Sequence, residues 1–330
     1  MRAGAQESAA PAPLSTPENL AAKGEIPRRK FGKTGEVVSA LGLGGHTFAQ
    51  AKTPEESIRI VQEAVENGIT FLDNAWEYHQ GRSEELMGKA LAGGLRDKVF
   101  LMTKVCTHGR DKKEAMKQLE ESLRRLKTDR IDLWQIHEVV YANDPEWHYS
   151  AGGAVEALTE AKQRGKVRFV GFTGHKDPSI HLDMLRRGYP FDSCQLPVSG
   201  FDAHFRSFQR QVLPILSERG IAPIGMKSLN GNAEAVKKGV ISAADAIRYA
   251  LSLPVATLVS GIDSLALLHE NIRIAKEFVP MAPDERLAFE QQCLKFAMDG
   301  RYELYKTSMR YEGPPGREQH GFPSEEELSG

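Results

Sequence analysis

The chain has 330 residues, and its 43 Lys and Arg residues nearly balance its 44 Asp and Glu residues, giving a net charge of −1 at pH 7. This balance argues against nucleic acids and membrane surfaces as partners, because proteins that bind such anionic partners usually carry a basic excess. The 41% hydrophobic and 26% charged contents are typical of a globular protein, which at this length needs no disulfide or structural metal to fold.

Residues 1–27 are rich in Ala and Pro and contain no apolar core of the kind a signal peptide has, so we predict a disordered or loosely packed tail. The three cysteines, Cys106, Cys194 and Cys293, are far apart in sequence and form no CxxC pair, which favours unpaired thiols in a reducing compartment. No apolar run approaches the ~20 residues of a membrane span. We expect a cytoplasmic protein, with removal of an export leader as the alternative.

The first structured element is predicted to be a β-hairpin in RRKFGKTGEVV, residues 28–38. Two short extended segments flank Lys33-Thr34-Gly35, a tripeptide typical of a turn. We expect this hairpin to cover one end of the domain that follows.

Eight short apolar runs then alternate with longer amphipathic stretches. A helix start is visible after the first run, where Thr53, Pro54 and Glu56 match an N-cap, an N1 proline and an acidic N3 residue. Near-continuous apolar runs predict strands buried on both faces, and their alternation with helices predicts parallel strands joined by right-handed crossovers. The runs span residues 37–45, 69–75, 98–105, 130–137, 166–175, 191–198, 220–229 and 254–262.

Eight strand–helix units predict an α/β protein whose residues 28–280 form one (β/α)₈ TIM barrel rather than two domains. An open dinucleotide-binding sheet fits less well, because Gly42, Gly44 and Gly45 do not have GxGxxG spacing. Residues 281–330 are predicted to be a C-terminal extension, with a helix over 283–299 and an irregular charged tail, that packs on the barrel.

Polar residues stand where several predicted strands end. Asp73 ends the second strand, Lys104 the third and His137 the fourth, and Tyr78 follows Asp73 by five residues. Because the carboxyl ends of barrel strands meet at one mouth, we expect these four side chains to lie together. Each residue alone has an ordinary structural explanation: a helix cap, a lysine reaching solvent, a packed tyrosine or a rim histidine. Four unrelated structural roles at one end of the barrel are less favoured than one functional site that uses all four residues.

These residues resemble the aldo-keto reductase superfamily. FLDNAWEYHQGRSEELMG (71–88) is similar to its signature, and Lys104 in LMTK and His137 in IDLWQIH resemble its catalytic lysine and histidine. The resemblance covers roughly residues 28–277. It implies reduction of an aldehyde, ketone or keto-sugar to an alcohol, by hydride transfer from a nicotinamide cofactor.

The resemblance also implies a role for each of the four residues. Tyr78 is the general acid, and an adjacent Lys104 ammonium is expected to lower the pKa of its phenol. Asp73 holds Lys104 in place, and His137 donates a hydrogen bond that polarises and orients the carbonyl. For Asp73 a helix-capping role is the alternative, because a capping residue would occupy the same position.

The cofactor-binding residues implied by the resemblance match the family pattern less completely than the four catalytic residues do. The Asn that usually follows the family's carboxamide-binding Ser is Gly174 here, and the family's aromatic stacking position falls at Met226 or Lys227. A thioether would then replace an aromatic stack, giving a softer and less orienting contact. The assigned cofactor contacts are Thr173, Gln195, Met226, Lys227, Ser228, Leu229, Glu270 and Asn271.

The cofactor is expected to be NADP(H), with NAD(H) as an alternative. The positions that in the family often hold a basic residue for the 2′-phosphate fall near Gly261 and Leu267, and neither is charged. Arg273 is a candidate substitute on the same segment.

Two other functions stay open. Lys104 would serve as a Schiff-base lysine in an aldolase barrel, although Tyr78 and the lack of a Gly-rich phosphate site argue against it. The chain would otherwise be a cofactor-binding regulatory or redox-sensing module with little turnover. For the reductase we expect a small-molecule carbonyl substrate, no metal, and a monomer or small homo-oligomer. The aromatic residues of loop 138–153 either pack or line a pocket for a ring-shaped substrate.

Overall fold

The computed structural model describes residues 14–106, 110–319, 321–324 and 326–327. The strands are β1 (Arg28–Lys30), β2 (Val37–Ser39), β3 (Leu41–Leu43), β4 (Phe71–Leu72), β5 (Phe100–Val105), β6 (Ile131–Ile136), β7 (Val167–Thr173), β8 (Ser193–Pro197), β9 (Ala222–Met226) and β10 (Thr257–Ser260). The α-helices are α1 (Gly45–Phe48), α2 (Pro54–Glu66), α3 (Arg82–Ala90), α4 (Lys112–Leu126), α5 (Asp144–Tyr149), α6 (Ala154–Gln163), α7 (Pro178–Arg186), α8 (Phe208–Gln211), α9 (Leu213–Arg219), α10 (Glu234–Lys237), α11 (Ala243–Ser252), α12 (Leu265–Lys276), α13 (Pro283–Ala297), α14 (Leu304–Thr307) and α15 (Pro314–Gln319).

Strands β3 to β10 form a closed parallel barrel in chain order, and the seam closes where β10 pairs with β3. This confirms the predicted (β/α)₈ fold, and each barrel strand lies inside one of the eight predicted runs. Helix α2 begins as predicted, because the Thr53 hydroxyl accepts a hydrogen bond from the Glu56 N–H at 3.1 Å. Among the described residues, no helix has both the length and the apolar character needed to cross a bilayer.

The first apolar run, residues 37–45, divides between two sheets. Val37–Ser39 pairs antiparallel with β1 in the predicted hairpin, and the barrel strand begins only at Leu41. The division follows from pairing geometry: Ala40 donates its N–H to Pro27 in the hairpin but accepts from Leu258 in the barrel, both at 2.7 Å. One apolar run therefore supplies two strands.

The hairpin covers the amino-terminal end of the barrel, as predicted. Phe31 lies in its turn, is fully buried, and places its ring 4.9 Å from that of Phe100 and 6.0 Å from that of Phe71. Phe71 and Phe100 are the first residues of β4 and β5, so these contacts seal the bottom of the barrel with apolar surface. The opposite end remains as the mouth.

Residues 14–27 of the predicted N-terminal tail lie against the barrel and are mostly exposed. The Thr16 hydroxyl donates to the Ser252 carbonyl at 2.7 Å, the Arg286 guanidinium donates to the Leu14 carbonyl at 2.6 Å, and Ile26 is buried. Of the two states predicted for the tail, these contacts with α11 and α13 agree with loose packing in this part. Residues 1–13 lie outside the described residues.

The C-terminal extension turns back over the mouth after α13, which matches the predicted helix. We define residues 303–313 as the C-terminal strap. The Gly313 N–H donates to Glu138 at 2.9 Å, Lys176 donates to the Ser308 carbonyl at 3.0 Å, and Arg206 donates to the Lys306 carbonyl at 3.0 Å. These three partners follow β6, β7 and β8, so the strap crosses the carboxyl ends of the barrel strands.

A buried ammonium anchors the strap. Lys306 is fully buried and donates to Asp202 at 2.6 Å, to the Phe205 carbonyl at 2.7 Å, and pairs with Glu303 at 2.8 Å. Burial raises the pKa of Glu303 to about 7 in spite of the nearby Lys306 charge. The Lys306 ammonium therefore compensates the charge of Asp202 and Glu303, two acidic side chains that are held away from water.

We expect Lys306→Met to lower the free energy of unfolding by about 3–5 kcal/mol, because it leaves Asp202 and Glu303 buried without a counter-charge. Urea unfolding at neutral pH measures this loss. Lys295→Met, at an exposed position of α13, is the matched control and is expected to change stability by less than about 0.5 kcal/mol. Equal stability of the two variants would contradict a structural role for the ion pair.

Candidate active site

Lys104 lies at the centre of the barrel mouth, the end where the barrel strands terminate. It lies near the end of β5 with 1% of its side chain exposed. Its ammonium contacts both carboxylate oxygens of Asp73 at 2.9 Å, the Asn74 carbonyl at 2.8 Å and the Tyr78 hydroxyl at 3.3 Å. Asp73 also accepts from the Gln195 side-chain amide at 3.1 Å. The Asp73 carboxylate thus binds Lys104 and Gln195, and it is not the helix cap that was the alternative explanation.

The segment between β4 and α3 brings Tyr78 back toward Lys104. Strand β4 is only two residues long, and the Trp76 N–H then binds the Lys104 carbonyl at 3.1 Å. A single 3₁₀ turn follows, in which His79 and Gln80 have positive φ angles of 51° and 57°. The Arg125 guanidinium of α4 secures the segment by donating to the Trp76 carbonyl at 3.0 Å. This bent path, unlike a regular strand or helix, returns the phenol to the mouth.

His137 completes the predicted group of four. It follows β6, donates its backbone N–H to Val105 at 2.9 Å, and places its ring 5.5 Å from the Tyr78 ring in an edge-on arrangement. The structure thus brings the four side chains together at the mouth of the barrel.

Sequence reasoning missed Glu77, whose carboxylate is hydrogen-bonded to Nδ1 of His137. The two residues are 60 positions apart in the chain, so no local spacing connects them. The available signal was limited to an acidic residue next to the proposed general acid, inside the segment that resembles the family signature.

The Tyr78 phenol keeps its proton at neutral pH. Burial raises its pKa well above the ordinary value, and the negative charges of Asp73 and Glu77 raise it further. Lys104 was expected to bring the pKa of this phenol below its ordinary value, but the net shift is upward. Burial outweighs the effect of the ammonium, and Asp73, at hydrogen-bond distance from that ammonium, offsets part of its charge.

Three of the predicted cofactor contacts lie on neighbouring strand ends. Thr173 of β7 is in register with Gln195 of β8, and Pro197 of β8 with Met226 of β9. The side-chain amide oxygen of Gln195, Oε1, is buried and has no hydrogen-bond partner among the described residues. A buried acceptor of this kind is costly unless a donor reaches it, so it suits a ligand that carries an N–H group.

Lys227 lies directly after β9 and adopts a left-handed backbone, with φ 58°. Its ammonium is 5.2 Å and 5.6 Å from the ring centroids of Tyr305 and Tyr311 in the C-terminal strap. Burial lowers the pKa of this lysine. Ser228 beside it is buried, and Leu229 is half-buried, so residues 226–229 form one wall of the mouth.

Glu270 and Asn271 lie on α12, which follows β10. Glu270 is exposed, whereas the Asn271 amide accepts from the Ser260 hydroxyl and donates to the Leu267 carbonyl, both at 2.8 Å. Asn271 therefore joins α12 to β10 whatever else it binds. Arg273 lies further along the same helix and pairs at 2.8 Å with Glu277, one turn beyond it.

The aromatic residues of loop 138–153 are engaged in packing. Tyr141 donates to Glu312 of the strap at 3.0 Å, and Tyr149 donates to the Met184 carbonyl of α7 at 2.8 Å. Trp147 lies 4.6 Å from the Arg110 guanidinium. These contacts favour the packing explanation over a pocket for a ring-shaped substrate.

Several proteins are similar to this chain in sequence or in fold. Aldo-keto reductase YhdN of Bacillus subtilis (strain 168) is 30% identical over 209 residues, and the match covers 59% of this chain and 60% of that protein's length. The holo form of aldo-keto reductase AKR11C1 from Bacillus halodurans superposes with a TM-score of 0.69 at 25% identity, covering 84% of this chain and all of that one.

An aldo/keto reductase from Klebsiella pneumoniae in complex with NADP and acetate has the same fold, with a TM-score of 0.67 at 20% identity over 83% of this chain and 96% of that one. The sequence model of the aldo/keto reductase family matches residues 40–235. That match covers more than half of the chain, and the chain belongs to the aldo/keto reductase family.

Proposed function

We propose that the protein reduces an aldehyde, ketone or keto-sugar to the alcohol, with a nicotinamide cofactor as reductant and Tyr78 as general acid. The observation that carries this proposal is the Lys104 ammonium, which contacts the Asp73 carboxylate and the Tyr78 hydroxyl inside the barrel mouth. A protonated phenol beside a paired ammonium is suited to giving a proton to an oxygen that becomes negative.

The residues of the mouth fit a nicotinamide dinucleotide. The unpartnered side-chain oxygen of Gln195, Oε1, would accept from a carboxamide N–H, beside Thr173 on the neighbouring strand. Lys227 would place a positive charge near the cofactor phosphates. We propose NADP(H), which the Klebsiella pneumoniae relative binds, and keep NAD(H) as the alternative. When bound, the cofactor supplies the hydride.

The residues of the site account for the proton. As the carbonyl carbon gains hydride, its oxygen becomes an alkoxide, and Tyr78 gives this oxygen its hydroxyl proton to complete the alcohol. The phenolate left behind is stabilised by Lys104, whose nitrogen is 3.3 Å from the phenol oxygen. Asp73 and the Asn74 carbonyl keep the ammonium in this position. Because burial holds the proton on the free phenol, its transfer is coupled to the developing alkoxide charge.

The same contacts disfavour the Schiff-base alternative. A nucleophilic lysine must lose a proton and present a lone pair to its substrate. The Lys104 nitrogen instead faces two carboxylate oxygens and a carbonyl oxygen at 2.8–2.9 Å, all of which require N–H donors.

We expect Tyr78→Phe and Lys104→Met each to reduce turnover of a carbonyl substrate by at least about 10²–10⁴-fold, because the first removes the acid and the second its electrostatic support. Steady-state rates over a panel of aldehydes and keto-sugars, with cofactor affinity from fluorescence titration, measure this. Cofactor should still bind.

Tyr189→Phe, at a half-buried tyrosine far from the mouth, is the matched control and should keep wild-type rates. Near-wild-type reduction by either site variant would refute the assignment. Cofactor binding without useful turnover in the wild type would instead support the regulatory or redox-sensing module.

We also expect a weak preference between the two cofactors, because the segment 261–267 carries Asp263 and no cation. Leu267→Arg should tighten NADPH binding about fivefold, or about 1 kcal/mol, without changing NADH binding, since only the 2′-phosphate gains a partner. Titration of each cofactor into each variant measures this. Leu287→Arg, at an exposed leucine of α13, is the control. If the wild-type protein binds NADPH more tightly than NADH by about 10²-fold or more, the expectation is contradicted.

A further inference from the structure

We propose that Glu77 is a positioning residue for the reduction: it shares a proton with Nδ1 of His137 and thereby keeps a second proton on Nε2, where it is donated to the substrate carbonyl. This inference rests on the proposed function. It adds Glu77 to the four residues predicted for the site.

The contact joins two nearly buried side chains. The Glu77 carboxylate is bonded to His137 Nδ1, and the two side chains are 18% and 8% exposed. The other carboxylate oxygen of Glu77 is buried without a hydrogen-bond partner among the described residues. In such surroundings the hydrogen bond between acid and imidazole is stronger than in water, because little solvent competes for either group.

The contact constrains where the protons are. An imidazole nitrogen and a carboxylate oxygen attract each other only when a proton lies between them. If the pair holds this proton alone, Nε2 carries a lone pair, which repels the lone pairs of a carbonyl oxygen. If the pair holds two protons, Nε2 is a donor. Hydrogen bonding to a carbonyl therefore requires the doubly protonated state of the Glu77–His137 pair.

Titratable groups on several elements surround the Glu77–His137 pair. Glu77 and Tyr78 approach from the segment after β4, Glu138 is the next residue in the chain, and His46 lies on α1, where Lys104 and Lys227 also act on it. The two carboxylates attract an added proton and the two ammonium groups oppose it, with Asp73 offsetting the charge of Lys104. Burial lowers the pKa of His46 to about 4, so His46 is neutral at neutral pH.

Glu138 differs from Glu77 in its partners. It accepts the Gly313 N–H at 2.9 Å and lies 3.7 Å from His175. Its carboxylate thus serves the C-terminal strap, whereas Glu77 is the carboxylate bonded to the His137 ring.

A second hydrogen-bond donor, Nε2–H of His137, would assist the reduction. Asp73 offsets the charge of Lys104, and burial makes the Tyr78 phenol a weak acid. An Nε2–H hydrogen bond to the carbonyl oxygen would stabilise the developing alkoxide before Tyr78 gives up its proton. His137 keeps its protons throughout, and the proton that enters the product comes from Tyr78.

The test is the pH profile of Glu77→Gln. In the wild type, kcat/KM is expected to be full at low pH and to fall as rising pH removes the second proton from the pair. In Glu77→Gln this fall should move about one pH unit lower, and the rate at neutral pH should drop about tenfold, because a neutral amide no longer attracts the proton. Glu77→Asp, which keeps the charge, should recover part of the rate. Glu85→Gln, an exposed glutamate in α3, is the matched control and should retain the wild-type profile.

A double-mutant cycle separates positioning from general support of the fold. In a His137→Gln background, Glu77→Gln should cause no further loss, because Glu77 acts through the ring. Independent losses that multiply would overturn the proposal, as would an unchanged pH profile. Circular dichroism of each variant checks folding, and Glu77→Ala, which also removes the charge, carries the test if Glu77→Gln does not fold.

A readout without turnover distinguishes failure of this proposal from failure of the proposed function. Nitrogen-15 spectra of the histidine rings, with His137 assigned by its loss in His137→Gln, report the protons on both nitrogens. Wild type should show two N–H groups on His137 at neutral pH, and Glu77→Gln one. That result in a protein with no reductase activity would refute the function but keep the pairing, whereas one N–H in the wild type would refute the pairing.

Discussion

The ion pair between Lys104 and Asp73 is the interaction on which the site depends. An ammonium with 1% of its surface exposed is costly to bury, and the cost is offset only where oxygen acceptors surround it closely. Here the Asp73 and Asn74 acceptors follow β4, the ammonium comes from the adjacent β5, and Gln195 of β8 binds the same carboxylate from across the mouth. The pair therefore links three strand ends and leaves Tyr78 as the remaining neighbour of the ammonium.

The barrel is closed at its two ends in different ways. Apolar rings fill the amino-terminal end, where Phe31 of the hairpin packs against Phe71 and Phe100. The carboxyl end is crossed by the C-terminal strap, which is held by the buried Lys306 and its acidic partners. The strap also brings Tyr305 and Tyr311 against Lys227, so the extension forms part of the wall around the mouth.

Much of the site was predictable because strand ends in a parallel barrel converge. Asp73, Lys104 and His137 each follow an apolar run, so their meeting followed from the strand count alone. Other features were not predictable. The direction of the Tyr78 pKa shift was wrong, because it depends on burial and on the balance between Lys104 and Asp73, both set by three-dimensional distances. Glu77 was missed, because its partner is 60 residues away. The contacts of residues 14–27 with α11 and α13 were not predicted, because composition does not show which surface an irregular segment meets.

The sequence by itself determined the barrel, the hairpin, the last long helix and the identity of the four polar residues at the mouth. These follow from short-range patterns: apolar periodicity, turn and capping residues, and position relative to the end of a strand. Only the tertiary structure decided which charge neutralises which, where the proton of the phenol is held, and which carboxylate faces the histidine. Such properties depend on distances and solvent exclusion among residues far apart in the chain, and no local pattern encodes them.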